Sequence, residues 1–310
     1  MLIRKDQSGV TALLFDSKPL GYAFILILLL CYSRVGCRKG DELRAKKTTV
    51  SWALTMLVSI GLLISSSVKA EQYPIEEAID DAGRQRMLTQ RILKSYVQVG
   101  LGMQPLQSEE ELQEAVALFE SQYQRLHQWQ HEPRVAEQLE RLGRLWQVYK
   151  QRTLGSVNTA EAQKLLGISE SLLSESHRLV LILQDIAATP DVELINVSGR
   201  QRMLSQRMAK YYLLSSWGID TPAISDKMDE VRAEFAAGLV LLESNTYANA
   251  EIYDRLARIK SDWAWFNSAI QQQGSERYDL VVMDASEQLL WQTELLTDLY
   301  VEESKKAPRS

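Results

Sequence analysis

A nine-residue run, Gly83-Arg84-Gln85-Arg86-Met87-Leu88-Thr89-Gln90-Arg91, returns as Gly199-Arg200-Gln201-Arg202-Met203-Leu204-Ser205-Gln206-Arg207, and no other feature of this 310-residue chain constrains its fold as strongly. The offset is 116 residues and extends past the motif: Lys94 and Tyr96 answer to Lys210 and Tyr212, Phe119 to Phe235, and Leu126 to Leu242. After a one-residue insertion the offset becomes 117, pairing Trp146 with Trp263 and Ser169-Glu170-Ser171-Leu172-Leu173 with Ser286-Glu287-Gln288-Leu289-Leu290. Self-similarity of this length and order marks a duplicated structural unit. The copies are expected over about 75–188 and about 189–303, followed by a polar tail, 304–310.

Within each copy, apolar residues recur at steps of three and four, as an amphipathic helix requires, and no segment alternates as a strand would. Helices are predicted near Ile75 to Leu101, Ser108 to Gln130, Pro133 to Arg152 and Thr159 to Ala187, then near Asp191 to Trp217, Ser225 to Thr246, Ala250 to Gln273 and Ser275 to Val301. Gly100, Gly102 and Pro105 read as the break after the first helix. Ser108 with Glu111 reads as a capping box and Pro133 as a first-turn proline, while Gly218, Pro222 and Gly274 punctuate the second copy. Short connections between long helices make consecutive helices antiparallel neighbours. The expected fold class is all-α: two tandem antiparallel four-helix bundles after an N-terminal signal or anchor segment. Met87, Leu88, Met203, Leu204 and Met208 are expected in the cores, together with an aromatic group of Trp146, Trp263, Trp265 and Phe266.

Residues 1–70 differ in character. Their two apolar runs, Leu20 to Tyr32 and Val50 to Ile64, each fall short of the roughly 18 to 20 residues that a membrane-spanning helix needs. The second run has Arg44, Lys46 and Lys47 in front of it and small residues closing on Val68-Lys69-Ala70. That is the pattern of a signal peptide over about 43–70, cleaved after Ala70. Translation is then expected to begin near Val35 or Leu43, and a second anchor is the alternative. Cleavage implies a periplasmic protein; an uncleaved leader implies inner-membrane anchoring. Cys31 and Cys37 both precede the cleavage point, which leaves the mature chain without thiol chemistry. From Glu71 onward 25 Lys and Arg face 36 Asp and Glu, a net charge of −11, and that sign disfavours nucleic acid as a partner.

The apolar stripe of the first helix runs Ile75, Ile79, Ala82, Leu93 and Val97, and it places Arg86 and Gln90 where bundle-facing apolar residues belong. The second copy repeats the anomaly with Arg202 and Gln206. A guanidinium on a packing face cannot shed its proton and needs a carboxylate, carbonyls or a bound anion. Gly83 and Gly199 lie one turn earlier. Glycine there weakens the helix by about 1 kcal/mol relative to alanine but admits a close neighbour. Pairing of the arginines with acids such as Asp80 or Glu76 is the competing, purely structural role, and Arg84 and Arg91 are expected on a solvated face or at an interface. His127 and His131, one turn apart before Glu132, have metal-like spacing, but Pro133 follows at once and the second copy lacks the pair, so no metal site is expected. His177 stands alone on its helix as an acid-base candidate. No nucleophile elbow, phosphate loop or zinc-protease signature is present, and neither an enzyme nor a cofactor is expected.

The segment Asn196-Val197-Ser198-Gly199 through Arg207, and its first-copy counterpart with Asp80 in place of the asparagine, resembles the motif of the PilJ/NarX-like N-terminal sensory domain. The resemblance implies a periplasmic antiparallel four-helix bundle. In the nitrate sensors of this group two copies of the central arginine meet at a dimer interface to hold nitrate or nitrite. Carried over, that arginine is Arg86 in the first copy and Arg202 in the second. The nitrate sensors have an apolar residue before this arginine, whereas Gln85 and Gln201 stand here, so nitrate is one candidate among small inorganic anions. The ligand-binding set expected is Arg86, Arg202, Gly83, Gly199, Gln90 and Gln206, arranged across a homodimer or, given the duplication, an intramolecular pseudo-dimer in which the two arginines face one anion. After Val301 only a polar tail is read, so signalling would require a membrane sensor kinase or chemoreceptor as partner. The alternative is a helical adaptor of an envelope, type IV pilus or chemotaxis system whose motif makes protein contacts only.

Overall fold

The computed structural model describes residues 73–189, 191–219, 221–245, 249–272 and 276–306; the expected signal segment, its cleavage point and both cysteines lie outside them. The described residues form no strand. Their first bundle consists of α1 (Ile75–Leu101), α2 (Pro105–Leu126), a 3₁₀ turn (His127–Trp129), α3 (Pro133–Thr153) and α4 (Thr159–Ala187). The second consists of α5 (Asp191–Ser216), α6 (Pro222–Glu243), α7 (Ala250–Ala269) and α8 (Glu276–Lys306). The chain is thus all-α, two helical bundles in tandem.

Local chemistry sets the helix ends. α1 stops at Gly102, whose φ of 68° is left-handed and lets the Met103 N–H close back on the Gln98 carbonyl. The side chains of Asn158, Thr221 and Asn249 accept from free first-turn N–H groups of α4, α6 and α7. Two expected starts move. α2 opens at Pro105, not at Ser108, because proline presets the helical φ and brings no N–H to satisfy. The expected Ser108–Glu111 capping box does not form: Ser108 lies inside the helix and donates its hydroxyl to the Met103 carbonyl at 2.6 Å. α6 likewise begins at Pro222, capped by Thr221, and not at Ser225. Gly100 does not break α1. It is helical, and a Cβ there would run into the indole of Trp217 from the second bundle.

In each bundle the first helix packs on the second and fourth, and the third packs on the fourth. The bundles meet through α1 against α5, and α8 also touches α1. The two motif helices are therefore surrounded by other helices, and many of their polar positions are buried. Each core keeps an equivalent aromatic stack: Phe119 on Trp146 with ring centroids 3.9 Å apart, and Phe235 on Trp263 at 4.4 Å. Removing such a buried ring typically costs about 3–5 kcal/mol. Trp265, expected in the core, is instead 63% exposed. Trp263 and Phe266 lie three residues apart and share a helix face, which turns the two residues between them outward.

Candidate functional site

The arginines displaced from the apolar pattern end up in the interface between the two copies. Arg86 on α1 and Arg202 on α5 are both fully buried. The motif glycines make room for their heads. A Cβ on Gly83 would lie 3.4 Å from Nη2 of both Arg86 and Arg202, and one on Gly199 would lie 2.9 Å from Nη2 of Arg202. The two guanidinium groups therefore converge on the same few ångströms beside Gly83, as two-fold-related helices would bring them.

Their pairing is not symmetric. Arg202 donates through Nη2 to Asp80 Oδ1 at 2.5 Å, across the interface, and through Nη1 to Glu294 Oε2 at 3.0 Å on α8. Arg84 joins this group, with Nε 2.8 Å from Asp80 Oδ2, Nη2 3.2 Å from Asp298 Oδ1, and an ion pair to Glu294. Burial alone would raise the Asp80 carboxyl, but Arg202 and Arg84 outweigh it and hold it below the usual carboxylate range.

Arg86 has no such partner. Its Nη1 faces His177 Nδ1 at 3.4 Å and its Nη2 donates to the Asn196 carbonyl at 3.4 Å, both at the long limit of a hydrogen bond. Its Nε, like that of Arg202, has no partner. No carboxylate among the described residues makes an ion pair with it. Burial, with added repulsion from Arg200 and Arg202, pushes its guanidinium down to about 9. Burial, then Arg86 and Arg200, push His177 down to about 4, so the ring is neutral near pH 7. A donor opposite Nδ1 assigns the ring proton to Nε2. Arg200 itself is drawn to Glu234 on α6. An open groove of about 590 Å³ runs beside this half; Leu181, Gln184, Asp185, Glu193, Asn196 and Arg200 are among its walls.

Two turns further along, the symmetry returns in a network that sequence reasoning missed. Arg91 and Lys94 of α1 both reach Glu287 on α8, the first at 2.8 Å. Arg207 and Lys210 of α5 reach Glu170 on α4 at 2.5 and 2.6 Å. Lys94 and Lys210 are fully buried, and Lys210 also donates to Gln90 Oε1 at 2.6 Å. Gln206 donates to the Ser286 carbonyl at 3.1 Å. The expected ligand residues Gln90 and Gln206 thus sit one turn beyond the arginines, between them and the lysines. Each lysine pairs with the fourth helix of the other copy, the exchange that an isologous dimer interface makes. The sequence did carry a signal: both lysines and both glutamates recur at repeat-equivalent positions, and a buried charge that recurs with its counter-charge marks an interface.

The remaining candidates separate from the arginines. His127 and His131 turn their Nδ1 atoms to the carbonyls of Tyr123 and Gln128. Among the described residues no cluster of three or more His, Cys, Asp or Glu is placed to hold a metal, and no helix is long and apolar enough to cross a membrane.

Paired helical bundles whose first helices enclose buried, cationic motif side chains define a duplicated helical-bundle protein. Comparison with protein families gives the same answer in finer detail. The family described as type IV pili methyl-accepting chemotaxis transducer N-term, PilJ, matches residues 71–169 and again 187–285. The chain belongs to this family and carries its domain twice. No curated protein and no solved structure matches it.

Proposed function

We propose that this chain is an exported, periplasmic sensory component that binds one small inorganic anion, of the nitrate or nitrite type, at the arginines of the duplicated motif. Occupancy is then read by a membrane sensor kinase or chemoreceptor. The observation that carries this reading is Arg86, a fully buried guanidinium that touches two long, neutral hydrogen-bond acceptors and no carboxylate, with Arg200 and Arg202 opposing its charge more strongly than the more distant Glu234 and Asp80 support it. Leaving such a charge uncompensated costs several kcal/mol in a folded interior, so it is retained for a ligand that supplies the missing negative charge. Arg202 lies at the same centre, Gly83 and Gly199 provide the clearance, and Gln90 and Gln206 close the site on the lysine side. Membership of a family of chemotaxis transducer domains supports a role in signalling through a partner protein.

The test is a thermal-shift titration of the full chain with nitrate, nitrite, chloride and acetate, repeated on Arg86→Ala and Arg202→Ala. A ligand at a hundredfold excess over its Kd stabilises by about 2.7 kcal/mol, several degrees for a chain of this size. A shift that Arg86→Ala abolishes supports the reading. A folded protein that no anion shifts would transfer the motif to the adaptor role, in which it makes protein contacts only.

A further inference from the structure

The repeat offset permits a comparison that the first copy alone does not. Around Arg202 and Arg84 stand three acids: Asp80, Glu294 and Asp298. At the repeat-equivalent positions around Arg86 and Arg200 stand Asn196, His177 and Leu181, so every acid has a neutral counterpart. The contacts obey the same exchange. Arg202 touches Asp80 and Glu294; Arg86 touches Asn196 and His177. Two of the replacements, Asn196 and Leu181, line the open groove together with Arg200, Asp185 and Glu193, so the groove reaches the Asn196 side of the centre while Arg86 and His177 are not among its walls.

We infer that the duplicated arginine centre holds a single ligand: its Arg202 half is closed by Asp80 and Glu294 acting as resident counter-ions, and its Arg86 half takes one monovalent oxyanion entering from the groove beside Asn196. This rests on the anion-binding reading above and sharpens it. The Arg86 half offers an oxyanion the donors that such a group needs. Arg86 supplies Nη1 and Nη2, held only by two long contacts, and an Nε that, like that of Arg202, has no partner, in a planar fork suited to bidentate contact. The Asn196 side chain adds an amide, currently bonded to Gln184 Oε1 at 2.8 Å. A divalent anion fits the charge balance less well, because Glu234 already neutralises Arg200 and one net positive charge remains. The Arg202 half offers no equivalent vacancy, since an incoming anion would meet two carboxylates that Arg202 already binds.

Isothermal titration of the full chain with nitrate and with acetate tests this through stoichiometry. The wild type is expected to take up one equivalent. A closing variant, Asn196→Asp with His177→Glu, copies the acids of the other half and is expected to bind none. It should also melt higher than the wild type in anion-free buffer, because Arg86 then has its own counter-ions. An opening variant, Asp80→Asn with Glu294→His, is expected to raise the stoichiometry to two. Should it fail to fold, the wild-type stoichiometry and the closing variant still decide. Two equivalents in the wild type, or full binding by the closing variant, would overturn the single-site inference and leave anion binding intact. No heat with either anion and no gain in melting temperature for the closing variant would overturn both.

Discussion

Replacing Glu170 by glutamine isolates what a buried charge is worth between the two copies. Burial raises the Glu170 carboxyl, but Lys210 and Arg207 outweigh it and bring it to about 2, against 4.5 for an unpaired glutamate. At about 1.4 kcal/mol per pH unit that difference bounds its stabilising contribution at roughly 3 kcal/mol. Its side chain is 32% exposed, and solvent screening lowers the figure to about 2 kcal/mol. This contribution is fully present above pH 4.5 and is lost as pH falls through about 2. Lys210 moves the other way. Burial holds its ammonium down to about 8 despite the carboxylate beside it, so the lysine gives back much of what the glutamate contributes. The pair is therefore near neutral as a unit and costly to break. Glu170→Gln is expected to destabilise by about 2–3 kcal/mol at pH 7, a fall in Tm of roughly 5–10 °C. Glu170→Gln with Lys210→Met should recover to within about 1 kcal/mol of the wild type, the remainder belonging to Arg207, which keeps partial exposure and the Tyr211 ring. Urea unfolding at pH 7 and pH 9 supplies a second signature. The orphaned Lys210 sheds its proton as pH rises, so the deficit of the single variant must shrink at pH 9. A single variant within about 0.5 kcal/mol of wild type at both pH values, or a double variant as unstable as the sum of the singles, would refute the argument.

The two motif glycines should respond differently to alanine. At Gly83 a Cβ meets guanidinium nitrogens at 3.4 Å, an ordinary contact, so Gly83→Ala is expected to be neutral or to stabilise by up to about 1 kcal/mol through helix propensity. At Gly199 the Cβ would come within 2.9 Å of the Arg202 Nη2 that bonds Asp80, so Gly199→Ala should destabilise by about 1–2 kcal/mol; equal and favourable effects in chemical denaturation would show that Arg202 is not locked. His177 titrates in the unfolded chain near 6.5 but in the fold only near 4, where Arg86 and Arg200 oppose its charge. The unfolded chain therefore binds more protons between those values, and stability falls as pH drops from 6.5 to 4. His177→Gln should flatten that decline in a Tm-against-pH series, by about 1 kcal/mol after allowance for partial exposure; an unchanged slope would place the histidine outside the arginine field.

The architecture was legible because helix-forming periodicity and breakers agree over long segments, and because the repeat turned one reading into two independent ones. α1 and α4 match their predicted ends to the residue. The errors have local causes. At Pro105 and Pro222 a first-turn proline outcompetes the serine three residues on, and Gly100 has the look of a breaker while its missing side chain makes room for Trp217. Periodicity also located the inward arginines, since a charge in an apolar stripe stands out. It could not locate their partners. Asp80 was named as a candidate acid, but Glu294, Glu170 and Glu287 lie on helices whose rotation is fixed only when α1 meets α5 and α8. Nor could one helix reveal that Lys94 and Lys210, good surface residues by composition, would be fully buried.

The difference between the two halves of the arginine centre has a physical origin in the duplication itself. In a homodimer the two-fold axis applies every substitution twice, so an acid placed beside one central arginine also stands beside the other. Such an assembly can neutralise both arginines or neither. Joining the copies in one chain removes that coupling, and the residues around the axis can change one at a time. Identity persists here at Arg91, Lys94, Arg207 and Lys210 with Glu287 and Glu170, the pairs that tie α1 to α8 and α5 to α4 across the two copies. Where it has lapsed, at Asp80 against Asn196 and Glu294 against His177, the residues touch the central arginines and nothing in the lysine layer depends on them. The lysine layer thus pairs charges across the copies on both sides of the axis, whereas the arginine layer does so only around Arg202, and stoichiometry is the measurement on which the reading of its Arg86 side as one anion site stands or falls.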